Sequence, residues 1–146
     1  MNKHAEKLVS ETIRIKSPKK GLMKARKLIL YFCRSNGLSD VDIDVFEMAV
    51  TEACHNAVRH GGRNEKGVYC ELELFINKND IKAVIRDFGK AFELNDFDPF
   101  NVQQDFMNYK NGGLGIPLIK TLMDDVSYKK KAGNGNELVL IKHLNK

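Results

Sequence analysis

The chain has 146 residues, of which 42% are hydrophobic and 29% charged, with a formal net charge of +5. That is enough apolar material for one domain over residues 1–146 and too much for a disordered chain. No long apolar run, leader-type segment or lipidation motif is present, so the expectation is a soluble cytoplasmic protein with no membrane attachment. Cys33, Cys54 and Cys70 are isolated and odd in number, and no CxxC occurs, which favours reduced thiols over a disulfide framework or a zinc site. The basic excess collects in Lys16–Arg34 and Lys129–Lys131. Such a patch is the footprint of a nucleic-acid binder, but neither interleaved aromatics nor a recognition motif accompanies it. A solvated face, or one that meets an acidic protein, is the better reading, and no direct nucleic-acid contact is expected.

Leu8–Ser17 partly alternates and is rich in β-branched residues, which predicts a strand at a sheet edge. Ser17-Pro18 then has the form of a helix start, and Leu22, Ala25, Ile29, Phe32 and Cys33 recur at helical spacing until Gly37. Ser39-Asp40 predicts a second N-cap with acids in the first turn. The inward stripe of that helix is read as Val41, Val45, Met48, Ala49, Glu52, Ala53 and Asn56, with Gly61-Gly62 as the stop and His60 in a capping role. Strands follow at Val68–Ile76 and Ile81–Asp87, joined by a hairpin turn at "NKND". From about Lys90 to Gly113 apolar positions follow no period and Pro99 interrupts, the mark of a functional or mobile loop. "GGLGIPLIKTLMDD" opens a third helix with Ile116, Ile119, Leu122 and Met123 inward. "VSYKKKA" and "NELVLIKHL" close the chain as strands across Gly133-Asn134-Gly135. This order is not the regular alternation of a doubly wound parallel sheet. It predicts an α/β, two-layer sandwich: a mixed, largely antiparallel sheet with its helices on one face.

Three features carry chemistry. Glu52 and Asn56 stand at i and i+4, one above the other on a helix face that also carries apolar residues, where an acid and an amide are costly unless paired or bound to an ion or ligand. A structural hydrogen bond from Asn56 to a neighbouring loop is the plainer alternative. Asp87 ends an apolar strand ahead of Gly89 and Ala91; a flat ligand can approach such a backbone, and a carboxylate can accept from an amine, though a simple turn has the same look. "NGGLGI" precedes a helix and offers backbone N–H groups to phosphate, although such a loop also caps helices and is neither a Walker A motif nor GxGxxG.

In this order the three resemble the N, G1 and G2 boxes of the GHKL, or Bergerat-fold, histidine-kinase-like ATPase superfamily. Within it, "VTEACHNAVRHG" and "GGLGIPLIKTLMDDVSY" look like the motifs of the small bacterial anti-sigma-factor serine kinases. The resemblance implies the Bergerat ATP-binding fold, with ATP and Mg²⁺ as cofactors. It implies Glu52 as general base, Asn56 as the Mg²⁺ ligand and Asp87 as acceptor for the adenine amine. Gly89 and Ala91 would make room for the base, while Gly112, Gly113, Leu114, Gly115 and Ile116 would lie against phosphates. Arg59 is a further candidate phosphate contact, with a plain surface role equally open. The segment of about 90–113 would be the ATP lid. The resemblance further implies an ATP-dependent serine/threonine kinase that phosphorylates a STAS-domain anti-sigma-factor antagonist, sequesters a sigma factor and forms a homodimer. Two departures stand out. Ala91 occupies a common glycine position, and Gly135-Asn136-Glu137 replaces the usual Gly-Thr, so a pocket contact is replaced or lost. The alternative is a catalytically weak ATP-binding module that switches partners without phosphotransfer. A zinc site at Cys54, His55 and His60 fails on spacing.

Overall fold

The computed structural model describes residues 9–88, 115–131 and 135–144. Both serines ahead of the apolar periods cap helices. Ser17 Oγ accepts from the Gly21 N–H at 3.1 Å and starts α1 (Pro18–Ser35); Ser39 Oγ accepts from the Asp42 N–H at 3.2 Å and starts α2 (Asp40–His60). Asp40 and Asp42 in the first turn of α2 complement its dipole. Past the Asn36 cap, Gly37 takes φ +74°, a left-handed conformation that favours glycine, and the chain turns back. The Gly61 cap of α2 is extended at φ −104°, so α2 ends without a left-handed turn.

The remaining elements are β1 (Val9–Ile15), β2 (Cys70–Ile76), β3 (Asp80–Asp87), α3 (Gly115–Leu122), β4 (Asp125–Lys131) and β5 (Gly135–His143). The strands form one sheet in the order β1-β2-β3-β5-β4, antiparallel at every junction. β1 lies at an edge, as its composition predicts. The third helix is shorter than its motif: Leu122 is its last residue, and Met123 is buried just beyond it. Pro117 is tolerated because it sits in the first turn.

Strand alternation builds the core. β2 buries Cys70, Leu72, Leu74 and Ile76; β3 buries Ile81, Ala83 and Ile85; β5 buries Leu138 and Leu140. Against this face pack Ala25, Ile29, Phe32 and Cys33 of α1, Ile119 of α3, and α2. Each large side chain fully withdrawn from water here stabilises the fold by about 1.5–3 kcal/mol.

The phase of α2 differs from the sequence expectation. Ala49, Ala53 and Asn56 are buried as expected, but Val41 is 71% and Met48 49% exposed, and Glu52 is half-buried. The buried stripe is Ile43, Phe46, Ala49, Val50, Ala53, Cys54 and Ala57. Ala49, Ala53 and Ala57 recur every four residues and let the helix lie close to the sheet, while Ile43 and Phe46 fill the space beside them. Asn56 and Glu52 therefore sit on the flank of the stripe rather than on its centre line.

The other face of the sheet is held by ions. Arg86 on β3 reaches Glu71 at 3.3 Å and Glu73 at 3.0 Å on β2, and Glu137 at 3.0 Å on β5; Arg14 on β1 adds a 3.3 Å contact to Glu71.

Candidate functional site

Polar residues mark both ends of the apolar slab beneath α2. At one end Lys142 of β5 pairs with the buried Asp42 in the first turn of α2, Nζ to Oδ1 3.9 Å. At the other end the helix-side rows of β3 and β5 stop being apolar: Ile81, Ala83, Ile85 is continued by Asp87, and Leu140, Leu138 by Asn136. α2 spans the distance between them. Its Cys54 thiol meets Cys70, which stands directly across from Asp87 in the β2–β3 register. The last two turns of α2, with Glu52 and Asn56, therefore lie over the Asp87–Asn136 end of the sheet.

Asp87 and Asn136 are paired in register, and Asn136 Nδ2 donates to Asp87 Oδ1 at 2.9 Å. Facing a carboxylate, an amide can present only its NH₂. Asn136 is 6% exposed, so this bond is made largely out of water. Gly135 makes the approach possible. Its φ is +85°, and a Cβ there would stand 2.3 Å from the Asp87 carbonyl oxygen.

Asn56 is also 6% exposed, yet neither Oδ1 nor Nδ2 has a hydrogen-bond partner among the described residues. A buried amide without partners costs about 1–3 kcal/mol, and a native chain retains one where a ligand or ion completes it. A carbonyl oxygen is a hard donor suited to Mg²⁺, and the NH₂ can donate to a phosphate oxygen. The donor set therefore fits a metal-bound polyphosphate. Glu52, half-buried one turn earlier, is placed to serve the same space.

The nearby thiols are inert by comparison. The hydrogen bond to Cys70, and then burial, push the Cys54 thiol well up, and burial pushes Cys33 up to about 12.

Of the residues named from sequence, Glu52, Asn56 and Asp87 are brought to one end of the fold. Arg59 is exposed on the last turn of α2. Gly115 and Ile116 open α3, which packs beside α2; the Ile116 side chain lies outside the described residues. Gly89, Ala91, Gly112, Gly113, Leu114 and the lid segment 90–113 lie outside the described residues altogether, as does the side chain of His60. Asn136 belongs to the Gly-Asn-Glu departure at the start of β5, to which the sequence alone assigns no place in the site. Its signal was there in the Gly-Asn-Glu at the start of β5, once β5 is paired with β3 so that Asn136 meets Asp87.

Residues 16–142 match the histidine kinase-like ATPase domain family. The serine-protein kinase RsbW of Listeria monocytogenes is 33% identical over 113 residues, covering 75% of this chain and 71% of its own length. RsbW of Bacillus licheniformis is 28% identical over 148 residues, covering 96% and 90%. Among solved structures, the SiaB–SiaC complex of Pseudomonas aeruginosa contains a chain with the same fold, at a TM-score of 0.62 and 10% identity over 92% of this chain and 89% of that one. With the matching domain spanning most of its length, the chain belongs to the histidine kinase-like (GHKL) ATPase family.

Proposed function

We propose that this chain is an ATP-dependent serine/threonine protein kinase and anti-sigma factor. In this reading it phosphorylates a STAS-domain antagonist and, in alternation, sequesters a sigma factor in the cytoplasm. The observation that carries the reading is the buried amide of Asn56, without a hydrogen-bond partner among the described residues, one turn from Glu52 and above the Asp87–Asn136 end of the sheet. Family membership and the likeness to serine-protein kinases support it.

The roles are those that the family resemblance implies. Asp87 accepts from the exocyclic amine of adenine. Asn56 would hold Mg²⁺, and the ion, when bound, would supply charge neutralisation for phosphoryl transfer. Glu52 takes the proton of the attacking serine hydroxyl, a contribution of about 10²–10⁴ in rate. Gly112, Gly113, Leu114, Gly115 and Ile116 give backbone N–H groups to phosphate, Arg59 adds charge, and Gly89 and Ala91 leave space for the base. Residues 90–113 act as the lid, within one domain over 1–146. A homodimer suits the edge position of β1.

The test is incubation of wild-type protein or Glu52→Ala with γ-labelled ATP, Mg²⁺ and a lysate of the source organism. A small labelled protein that appears only with wild type, while both forms bind ATP, is the expected result. Bound ATP without any label would favour the runner-up, a nucleotide-gated binding module.

A further inference from the structure

A cavity of about 240 Å³ opens beside the far face of the sheet, lined by Arg14, Lys16, Asn64, Lys66, Glu71 and Phe88 among others. Arg14 and Glu71 belong to the face away from the helices, and Phe88 follows Asp87 in the chain. We propose that this cavity is a binding site for a phosphomonoester dianion, separate from the nucleotide pocket and independent of it.

The cations that line the cavity stand on fixed backbone. Arg14 is held in the β1–β2 ladder opposite Glu71. Lys16 lies between Ile15, whose carbonyl accepts from the Tyr69 N–H at 2.8 Å, and Ser17, which caps α1. Lys66 sits in a loop tied by Asn64, whose Oδ1 accepts from the Lys66 and Val68 N–H groups, both at 2.9 Å. The Asn64 N–H donates back to the Val68 carbonyl at 2.9 Å, and Gly67 turns the chain at φ +78°. Such a site is largely formed before its ligand arrives, which lowers the ordering cost of binding.

Charge selects the ligand class. Three cations meet one carboxylate, and Glu71 already serves two guanidiniums, Arg14 and Arg86, each at 3.3 Å. Neither Lys16 nor Lys66 has an ionic partner among the described residues. The cavity therefore has two positive charges in excess. A phosphomonoester carries about −1.5 to −2 at pH 7 and matches that excess, whereas one carboxylate leaves half of it uncompensated. An Arg fork beside point-charge lysines also suits three phosphate oxygens. Size narrows the class further. The volume is below the roughly 300–1,000 Å³ of drug-sized pockets, and well above the roughly 30 Å³ of one water. It holds a phosphate with a small carrier, against which Phe88, 41% exposed, offers an apolar wall.

The test is titration of the nucleotide-free full chain, ¹⁵N-labelled, with phenyl phosphate and with benzoate at constant ionic strength, read by amide shifts. Saturable shifts centred on residues 64–69, with phenyl phosphate binding about tenfold or more tighter than benzoate, are the expected result. The double variant Lys16→Gln, Lys66→Gln, checked for folding by thermal melting, is expected to lose about tenfold or more in affinity for phenyl phosphate. Free phosphoserine and a short neutral peptide carrying phosphoserine distinguish the two sources of the group. Tighter binding of the peptide assigns the site to a phosphorylated protein, and equal binding assigns it to a small molecule. Equal affinity for benzoate, an unchanged double variant, or shifts centred on Glu52 and Asn56 overturns the proposal. The last of these outcomes leaves the nucleotide pocket standing. A chain that binds phenyl phosphate at residues 64–69 but no ATP overturns the nucleotide reading and leaves this site in place.

Discussion

Asn56 is the side chain on which the proposed site rests. Every large residue around it is placed where burial stabilises the fold, and Asn56 alone is withdrawn from water with its amide unsatisfied among the described residues. Such a group destabilises the nucleotide-free fold by about 1–3 kcal/mol. Asn56→Ala is therefore expected to melt no lower than wild type without ligand, and to lose the upward shift in melting temperature that ATP and Mg²⁺ give to wild type. Differential scanning fluorimetry reads both. A marked fall in the ligand-free melting temperature would mean that Asn56 is a structural tie instead. At this scale the sequence was informative: the i, i+4 pairing of an acid and an amide within the expected inward stripe singled out Glu52 and Asn56, although packing puts them on its flank, and a strand-end acid singled out Asp87. Asn136 was harder to read, since its meaning depends on which residue it faces across a ladder, and register is not written in one strand.

At the scale of elements, the caps were the most legible features. Ser17 and Ser39 begin their helices where a side-chain acceptor is needed, a local requirement that tertiary packing does not change. The phase of α2 was not legible. Val41, Val45 and Met48 form one apolar stripe and Ile43, Phe46 and Val50 another, so periodicity alone admits two inward faces. Packing selects the second, because the alanines at 49, 53 and 57 bring the backbone close to the sheet. The β3–β5 junction offers a sharper test. Gly135→Ala would force a Cβ to 2.3 Å from the Asp87 carbonyl oxygen at φ +85°, and the cost is expected to exceed about 1 kcal/mol by chemical denaturation. At the opposite end of the same strand, the exposed His143 ring bonds Asp80, and its pKa is raised above 6.5 first by that bond. The sign follows from linkage: a raised histidine pKa gives stability that is fully present below pH 6.5 and is lost as pH rises through the folded-state value. His143→Gln is thus expected to narrow its deficit against wild type as melts move from pH 5.5 to pH 8.5. A deficit that stays constant would show that the ion pair contributes nothing.

For the whole molecule, the layered plan places the site. Among the described residues, one face of an antiparallel sheet is covered by three helices, and its apolar rows give way at one end to Asp87 and Asn136. α2 starts over Lys142 and reaches Cys70 at Cys54, so its direction carries Glu52 and Asn56 to that end. The opposite face depends on Arg86 and its three carboxylate partners to join β2, β3 and β5. Element order made the two-layer plan readable from sequence, and no described helix is long and apolar enough to cross a membrane. The strand order β1-β2-β3-β5-β4 was not readable, because it depends on which edges meet after the last helix has crossed. The proposed ATP site lies at this end of the sheet. It is tested most directly by calorimetric titration of ATP with Mg²⁺ into wild type, Asp87→Asn and Glu52→Ala. Saturable binding to wild type, binding of similar strength to Glu52→Ala, and a loss of about tenfold or more in Asp87→Asn are expected. Absence of binding to wild type, or equal binding to Asp87→Asn, would contradict it.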